Sequence, residues 1–97
     1  MRELKGTEKQ VKWAENIRED QMESFNRFKE RWIEKRAAEG NQEELDYIEG
    51  LTKRILSIEK AETWIDIGQA DIVLHQLLVP KRRKGVLERM DLYNISL

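Results

Sequence analysis

The pattern of hydrophobic and polar positions predicts one long helix near the start of the chain. Thr7 stands where an N-cap belongs and Gln10 follows three residues later, which is the spacing of a capping box. No glycine or proline interrupts the sequence from there to Gly40. At about 100° per residue, the apolar side chains cover about 200° of this helix, so we expect it to contact at least two other elements. The apolar arc contains Val11, Ala14, Ile17, Met22, Phe25, Phe28 and Trp32.

Two further apolar segments follow before Pro80. Asn41 is placed to cap a second helix, with Glu44 at the capping-box position, and apolar residues at helical spacing continue to about residue 60. Residues 70–79 are apolar on almost every side, which predicts a buried helix that Pro80 closes. A strand is the alternative for this segment because three of its residues are β-branched, but no partner strand is evident.

These patterns predict an all-α fold. We expect a small bundle of three main helices, at roughly residues 7–39, 42–60 and 69–79, with a long N-terminal helix and a short C-terminal helix. The 97 residues form a single helical domain, 1–97. Residues 81–85 are interpreted as a basic linker before the C-terminal tail. The cations of this linker are Lys81, Arg82, Arg83 and Lys84.

Composition restricts the possible functions. Charged residues make up 38% of the chain and hydrophobic residues 39%, so the surface is heavily charged and the core is small. The net charge of -1 gives no overall attraction to nucleic acid or to a membrane, and any such binding needs a local patch. Cysteine is absent. The start of the chain lacks the apolar core of a signal peptide, and no apolar run approaches the roughly 20 residues that span a bilayer, so we expect a cytoplasmic protein with no membrane partner.

The residue types that perform catalysis are few and isolated. His75 is the single histidine and stands in an apolar segment, which is typical of a structural imidazole rather than a general base. The serines lack neighbours suited to activating them, and there is no glycine-rich phosphate loop. The acidic residues at 43–49 lack metal-ligand spacing and suit the start of a helix. We therefore expect a non-enzymatic protein with no cofactor and no metal site.

Two short motifs carry a family resemblance. The first is formed by Leu4, Gly6, Thr7, Lys9, Gln10, Trp13, Ala14, Ile17 and Arg18, and the second by Ala61, Trp64, Ile65 and Asp66. Both resemble motifs in a family of short, largely uncharacterised proteins from bacteriophages and mobile elements of Gram-positive bacteria. That family often continues with Asn-Arg, where this chain has Ile67 and Gly68. The resemblance implies a phage or mobile-element setting and brings no established activity with it.

Arg18 and Asp66 place opposite charges in the two motifs, and we predict that they form a partly buried pair. An arginine fork binds a carboxylate through two hydrogen bonds, and Trp13 and Trp64 can pack beside such a pair. This clasp would lock the first helix to the turn after the second. The alternative is that the same four residues form a site for a ligand or a partner.

Two functions from different classes fit these observations. The first is a protein-interaction module that covers a surface of a host or phage protein, for example as an inhibitor of a component of a bacterial defence system. The alternative is a nucleic-acid-binding accessory protein that neutralises phosphates with Lys81, Arg82, Arg83 and Lys84.

The length of the first helix also predicts a homodimer. A helix of this length overshoots a compact domain of 97 residues, so Phe25, Phe28 and Trp32 would be bare in a monomer. Exposed aromatic patches mark interfaces, and twofold pairing is the commonest way to cover one. The monomeric alternative folds the third helix and the tail back over the far half of the first helix.

Overall fold

The long N-terminal helix is α1, Glu8–Ala38, in a computed structural model that describes residues 3–97. Its start is the predicted capping box: the Gln10 N–H donates to Thr7 Oγ1 at 3.2 Å, and the Thr7 N–H donates to Gln10 Oε1 at 3.0 Å. At about 1.5 Å per residue, 31 residues reach about 46 Å. The longest extent of the molecule is 45 Å. The helix α1 therefore runs the whole length of the protein, and the other elements pack along it.

Three more α-helices follow, so the prediction of a small all-α bundle with a long N-terminal helix is confirmed. They are α2 (Gln42–Leu56), α3 (Ala61–Gln69) and α4 (Pro80–Leu92), and a short 3₁₀ helix, Leu74–Leu78, lies between α3 and α4. The main packing partners of α1 are α3, the 3₁₀ helix and α2, whereas α4 rests mainly on the 3₁₀ helix. Within residues 3–97, no helix has the length and apolar character needed to cross a membrane.

The prediction of a third main helix at 69–79 is wrong. The second helix stops at Leu56, and α3 ends at Gln69 with two hydrogen bonds of a Schellman motif. The Asp71 N–H donates to the Gly68 carbonyl at 3.2 Å and the Ile72 N–H to the Ile67 carbonyl at 3.1 Å. Asp71 itself has φ +53°, a conformation that short polar side chains tolerate. This turn redirects the chain before the apolar segment.

The apolar segment after this turn forms the 3₁₀ helix. Its three leucines, Leu74, Leu77 and Leu78, are fully buried. A segment that is apolar on every side can be buried in more than one backbone conformation, so its hydrophobic pattern did not distinguish the two helix types.

Pro80 opens α4 rather than closing the helix before it. Proline suits the first helical position because its φ is already helical and the N–H it lacks would have no partner there. Lys81, Arg82, Arg83 and Lys84 consequently lie in the first turns of α4, and the interpretation of residues 81–85 as a linker is wrong.

The contact between α1 and α3 depends on a glycine. Ala14 on α1 is fully buried, and Ile17, one turn later, lies directly against Gly68 of α3. A Cβ at Gly68 would lie 2.8 Å from Ile17 Cδ1, which is closer than packed carbon atoms come, and 3.3 Å from Ile17 Cγ1, which is a tight contact. Gly68 thus lets the two helices approach each other.

We predict that Gly68→Ala destabilises the protein by about 1 kcal/mol, because overpacking a tight contact costs about 1–3 kcal/mol and exceeds the helix-propensity gain of about 1 kcal/mol. With Ile17→Ala in the same chain, the clash is removed and Gly68→Ala becomes stabilising. Gly85→Ala is the matched control, since a Cβ at that helical position meets no atom within 4 Å. Urea unfolding measures the change in unfolding free energy for Gly68→Ala, for Gly68→Ala in the Ile17→Ala background, and for Gly85→Ala. An unchanged sign of the Gly68→Ala effect in the two backgrounds would refute the close contact.

Candidate functional site: the exposed sides of α4

Arg83 fixes α4 to the rest of the fold. Its Nη atoms donate to both carboxylate oxygens of Glu44 on α2, at 3.2 and 3.1 Å. Its Nε donates to the Leu77 carbonyl at 3.0 Å, and its guanidinium lies 3.8 Å above the ring of Tyr47. The side chain of Glu44 therefore pairs with Arg83 of α4. Its backbone N–H donates to Asn41 Oδ1 at 3.2 Å, and Asn41 thereby caps α2. Arg83 is engaged inside the protein and is not available to a nucleic acid.

The remaining cations of the run are exposed, and two of them border a groove. This cationic groove, about 260 Å³ in volume, lies between the segment after α3 and one side of α4. Arg89 is held at its edge because its Nε donates to the Ala70 carbonyl at 2.7 Å. Lys84 does not line the groove. The residues that define the cationic groove are Asp71, Gln76, Lys81, Arg82, Gly85 and Arg89.

The C-terminal end of α4 presents a second feature, a pair of apolar side chains. The Asn94 N–H donates to the Asp91 carbonyl at 3.1 Å and the Ile95 N–H to the Met90 carbonyl at 2.9 Å, which is a second Schellman motif with Asn94 at φ +56°. Ile95 is buried, so the backbone after α4 is anchored to the core. The two side chains just before this anchor are nevertheless exposed, Leu92 at 82% and Tyr93 at 51%. We call these two residues the apolar end of α4.

The clasp predicted between Arg18 and Asp66 stays a prediction. Ile17, which precedes Arg18, lies against Gly68 of α3, and Arg18 lines a groove on α1 together with Glu15, Glu19 and Met22.

The two motif tryptophans have opposite environments. Trp64 is 1% exposed and belongs to the core, whereas Trp13 is 49% exposed. The aromatic half of the predicted clasp is therefore divided between the interior and the surface. A partner site at these residues stays a prediction.

The three aromatic residues predicted to form a dimer interface differ in burial, and Phe28 remains 37% exposed. Phe25 is fully buried. Phe28 is stacked on His75 of the 3₁₀ helix, with ring centroids 4.1 Å apart. The half-buried Trp32 lies under the cations of Lys35 and Arg36, at 5.3 and 4.3 Å from its ring centroid. The prediction that these three side chains are bare in a monomer is wrong for Phe25, because the 3₁₀ helix, α2 and α3 all pack along α1.

His75 lies in the 3₁₀ helix and packs against Phe28 of α1. It is half-buried against Phe28, and its Nδ1 is buried with no hydrogen-bond partner among residues 3–97. Burial lowers the pKa of His75 because the charged imidazolium loses hydration there. Over the same residues, no cluster of three or more His, Asp or Glu side chains is placed to hold a metal ion.

Sequence reasoning missed the residues that make α4 distinctive. Glu44 occupies a capping-box position, which hid its pairing with Arg83. Asp71 and Gln76 carry no motif, and the turn that brings them to α4 follows from backbone geometry. The available signal was Pro80 directly before a basic run, which is the pattern of a helix start.

Comparisons of the chain with models of protein families, with curated proteins and with solved structures give no match.

We predict that His75 makes folding sensitive to mild acid. Its pKa in the folded protein is below the ordinary 6.5, so the unfolded chain binds the proton more tightly. The free energy of unfolding should therefore fall as the pH drops below about 6.5, until the folded-state pKa is passed. The stability difference between the parent and His75→Gln, measured by urea unfolding at pH 7.5 and pH 5, isolates this contribution from the carboxylates. An equal difference at both pH values would contradict it.

Proposed function

We propose that the protein is a non-enzymatic protein-interaction module that docks a partner protein on the apolar end of α4. The observation that supports this most directly is the exposure of Leu92 and Tyr93 beside an anchored backbone. Leu92 is the most exposed large hydrophobic side chain in residues 3–97. An apolar side chain that an ordered backbone holds in water has no role in the fold of the single chain. A partner protein can therefore bury it in an interface.

The energetics of such a contact favour binding. Full burial of a leucine side chain contributes about 1.5–3 kcal/mol. Tyrosine is enriched among the residues that dominate binding energy, because its large ring carries a polar hydroxyl. The anchored backbone lowers the entropy that is lost on binding, since the two side chains are already presented in one arrangement. Glu88 and Asp91, which lie on the same helix, supply exposed charge around the apolar pair.

The resemblance to phage and mobile-element proteins supports a host protein as the partner. We infer that the module acts inside the host cytoplasm by covering a surface of that protein, and a component of a bacterial defence system is a suitable target for such inhibition. A second copy of the chain competes for the same apolar surface, so a homodimer formed through Leu92 and Tyr93 is the other candidate assembly.

The double variant Leu92→Ser, Tyr93→Ser should lose the partner and keep the fold. Both residues are exposed, so the free energy of unfolding should change by less than about 0.5 kcal/mol. Leu56→Ser is the matched control because Leu56 is an exposed apolar residue on α2. The measurement is capture from nuclease-treated host lysate with identification by mass spectrometry. The parent and Leu56→Ser should capture the same protein.

Capture of that protein by the double variant in equal yield would overturn the assignment of the surface. Light scattering separates the two assemblies. A mass near 11.6 kDa at high concentration excludes the homodimer. A doubled mass that the double variant abolishes assigns the apolar end of α4 to self-association instead.

A further inference from the structure

We propose that the cationic groove is a binding site for a phosphate group. Its lining contains three cations, Lys81, Arg82 and Arg89, against the single carboxylate of Asp71. The site lies on a different side of α4 from the interaction with Glu44, so its charges are separate from those that hold the helix in place. This inference does not depend on the apolar end of α4.

The groove cations lack neutralising partners within the described chain. The side chains of Lys81 and Arg82 form no ion pair and no hydrogen bond with any of residues 3–97. Arg89 forms one hydrogen bond, through Nε to the Ala70 carbonyl. A guanidinium has five N–H donors, so four donors of Arg89 remain for a ligand while the fifth keeps the group in place. An anion in the groove would therefore meet one positioned cation and two adaptable ones.

Gly85 makes room for the ligand. On α4 it lies three residues after Arg82 and four before Arg89, so the three positions share one face of the helix. Arg82 and Arg89 are about 10 Å apart along the helix axis, and both side chains are long enough to reach a group between them. A Cβ at Gly85 would meet no atom within 4 Å, so packing does not require glycine there. The missing side chain leaves the groove open instead.

Two features identify the ligand as a phosphate rather than a carboxylate. Paired guanidinium groups offer several donors in fixed planes, which suit the three terminal oxygens of a phosphate group. Lys81 and Arg82 also lie in the first turn of α4, which contains no acidic residue, and a doubly charged anion gains more there than a singly charged one. Asp71 also lines the groove, so its carboxylate should repel the anion and weaken binding.

Titration with inorganic phosphate at pH 7.5 and constant ionic strength tests the site. The amide NMR signals of Gly85 and Arg89 report the binding. Arg82→Ala should weaken phosphate binding about tenfold. Lys84→Ala removes the same charge from the same helix outside the groove and should change the affinity less than twofold. Asp71→Asn should tighten binding severalfold because it removes the opposing carboxylate. The fold should be kept, since asparagine also tolerates the positive φ of this position.

Gly85→Leu tests the groove without changing any charge. It should abolish saturable phosphate binding and leave the protein folded, because leucine favours a helix more than glycine does. Binding that survives Gly85→Leu, or that falls equally with Lys84→Ala and Arg82→Ala, would overturn the site and indicate diffuse attraction to basic residues. An absence of saturable phosphate binding in the parent would overturn it as well.

The source of the phosphate is distinguished by two further probes, adenosine monophosphate and a single-stranded DNA of 12 nucleotides. Tighter binding of the DNA than of the mononucleotide, lost in Gly85→Leu, assigns the groove to a nucleic-acid backbone. Equal or weaker binding of the DNA assigns it to a small phosphorylated ligand.

Discussion

The guanidinium of Arg83 is the contact on which the arrangement of α4 depends. It contacts three groups at once: the carboxylate of Glu44 and the ring of Tyr47, both on α2, and the Leu77 carbonyl of the 3₁₀ helix. Both side chains of the ion pair are 20% exposed, so water screens the pair only in part. Because α4 packs mainly on the short 3₁₀ helix, this link to α2 adds a second constraint on where both sides of α4 lie. The cationic groove and the apolar end of α4 are consequences of that placement.

Local signals were sufficient to predict most of the fold. The Thr7–Gln10 capping box and the absence of glycine and proline before Gly40 specify α1, and Asn41 specifies the start of α2. The region from 57 to 85 was not predictable in the same way. Asp71 adopts a positive φ where glycine is usual, and the following apolar segment has no period that separates a 3₁₀ helix from an α-helix. The reading of Pro80 as a terminator overlooked its preference for the first helical position.

The candidate site could be predicted only in part, because its chemistry comes from residues that the fold brings together. The basic run was evident, but four adjacent cations do not reveal that Arg83 points inward while Lys81 and Arg82 border a groove. The same limit applies to burial. The arc on α1 indicated correctly that several neighbours are needed, yet it could not show that the 3₁₀ helix supplies one of them and stacks His75 on Phe28. The exposed residues of α4 became visible only once the interior contacts were assigned.

A double-mutant cycle on Arg83→Gln and Glu44→Gln tests most directly whether this pair holds α4 in place. Urea unfolding of the parent, the two single variants and the double variant isolates the energy of the pair, because the contacts of Arg83 with Leu77 and Tyr47 cancel in the cycle. We predict a coupling energy of about 1–2 kcal/mol, and a larger loss for Arg83→Gln than for Glu44→Gln because only the arginine makes the other two contacts. A coupling energy within about 0.3 kcal/mol of zero would contradict the account.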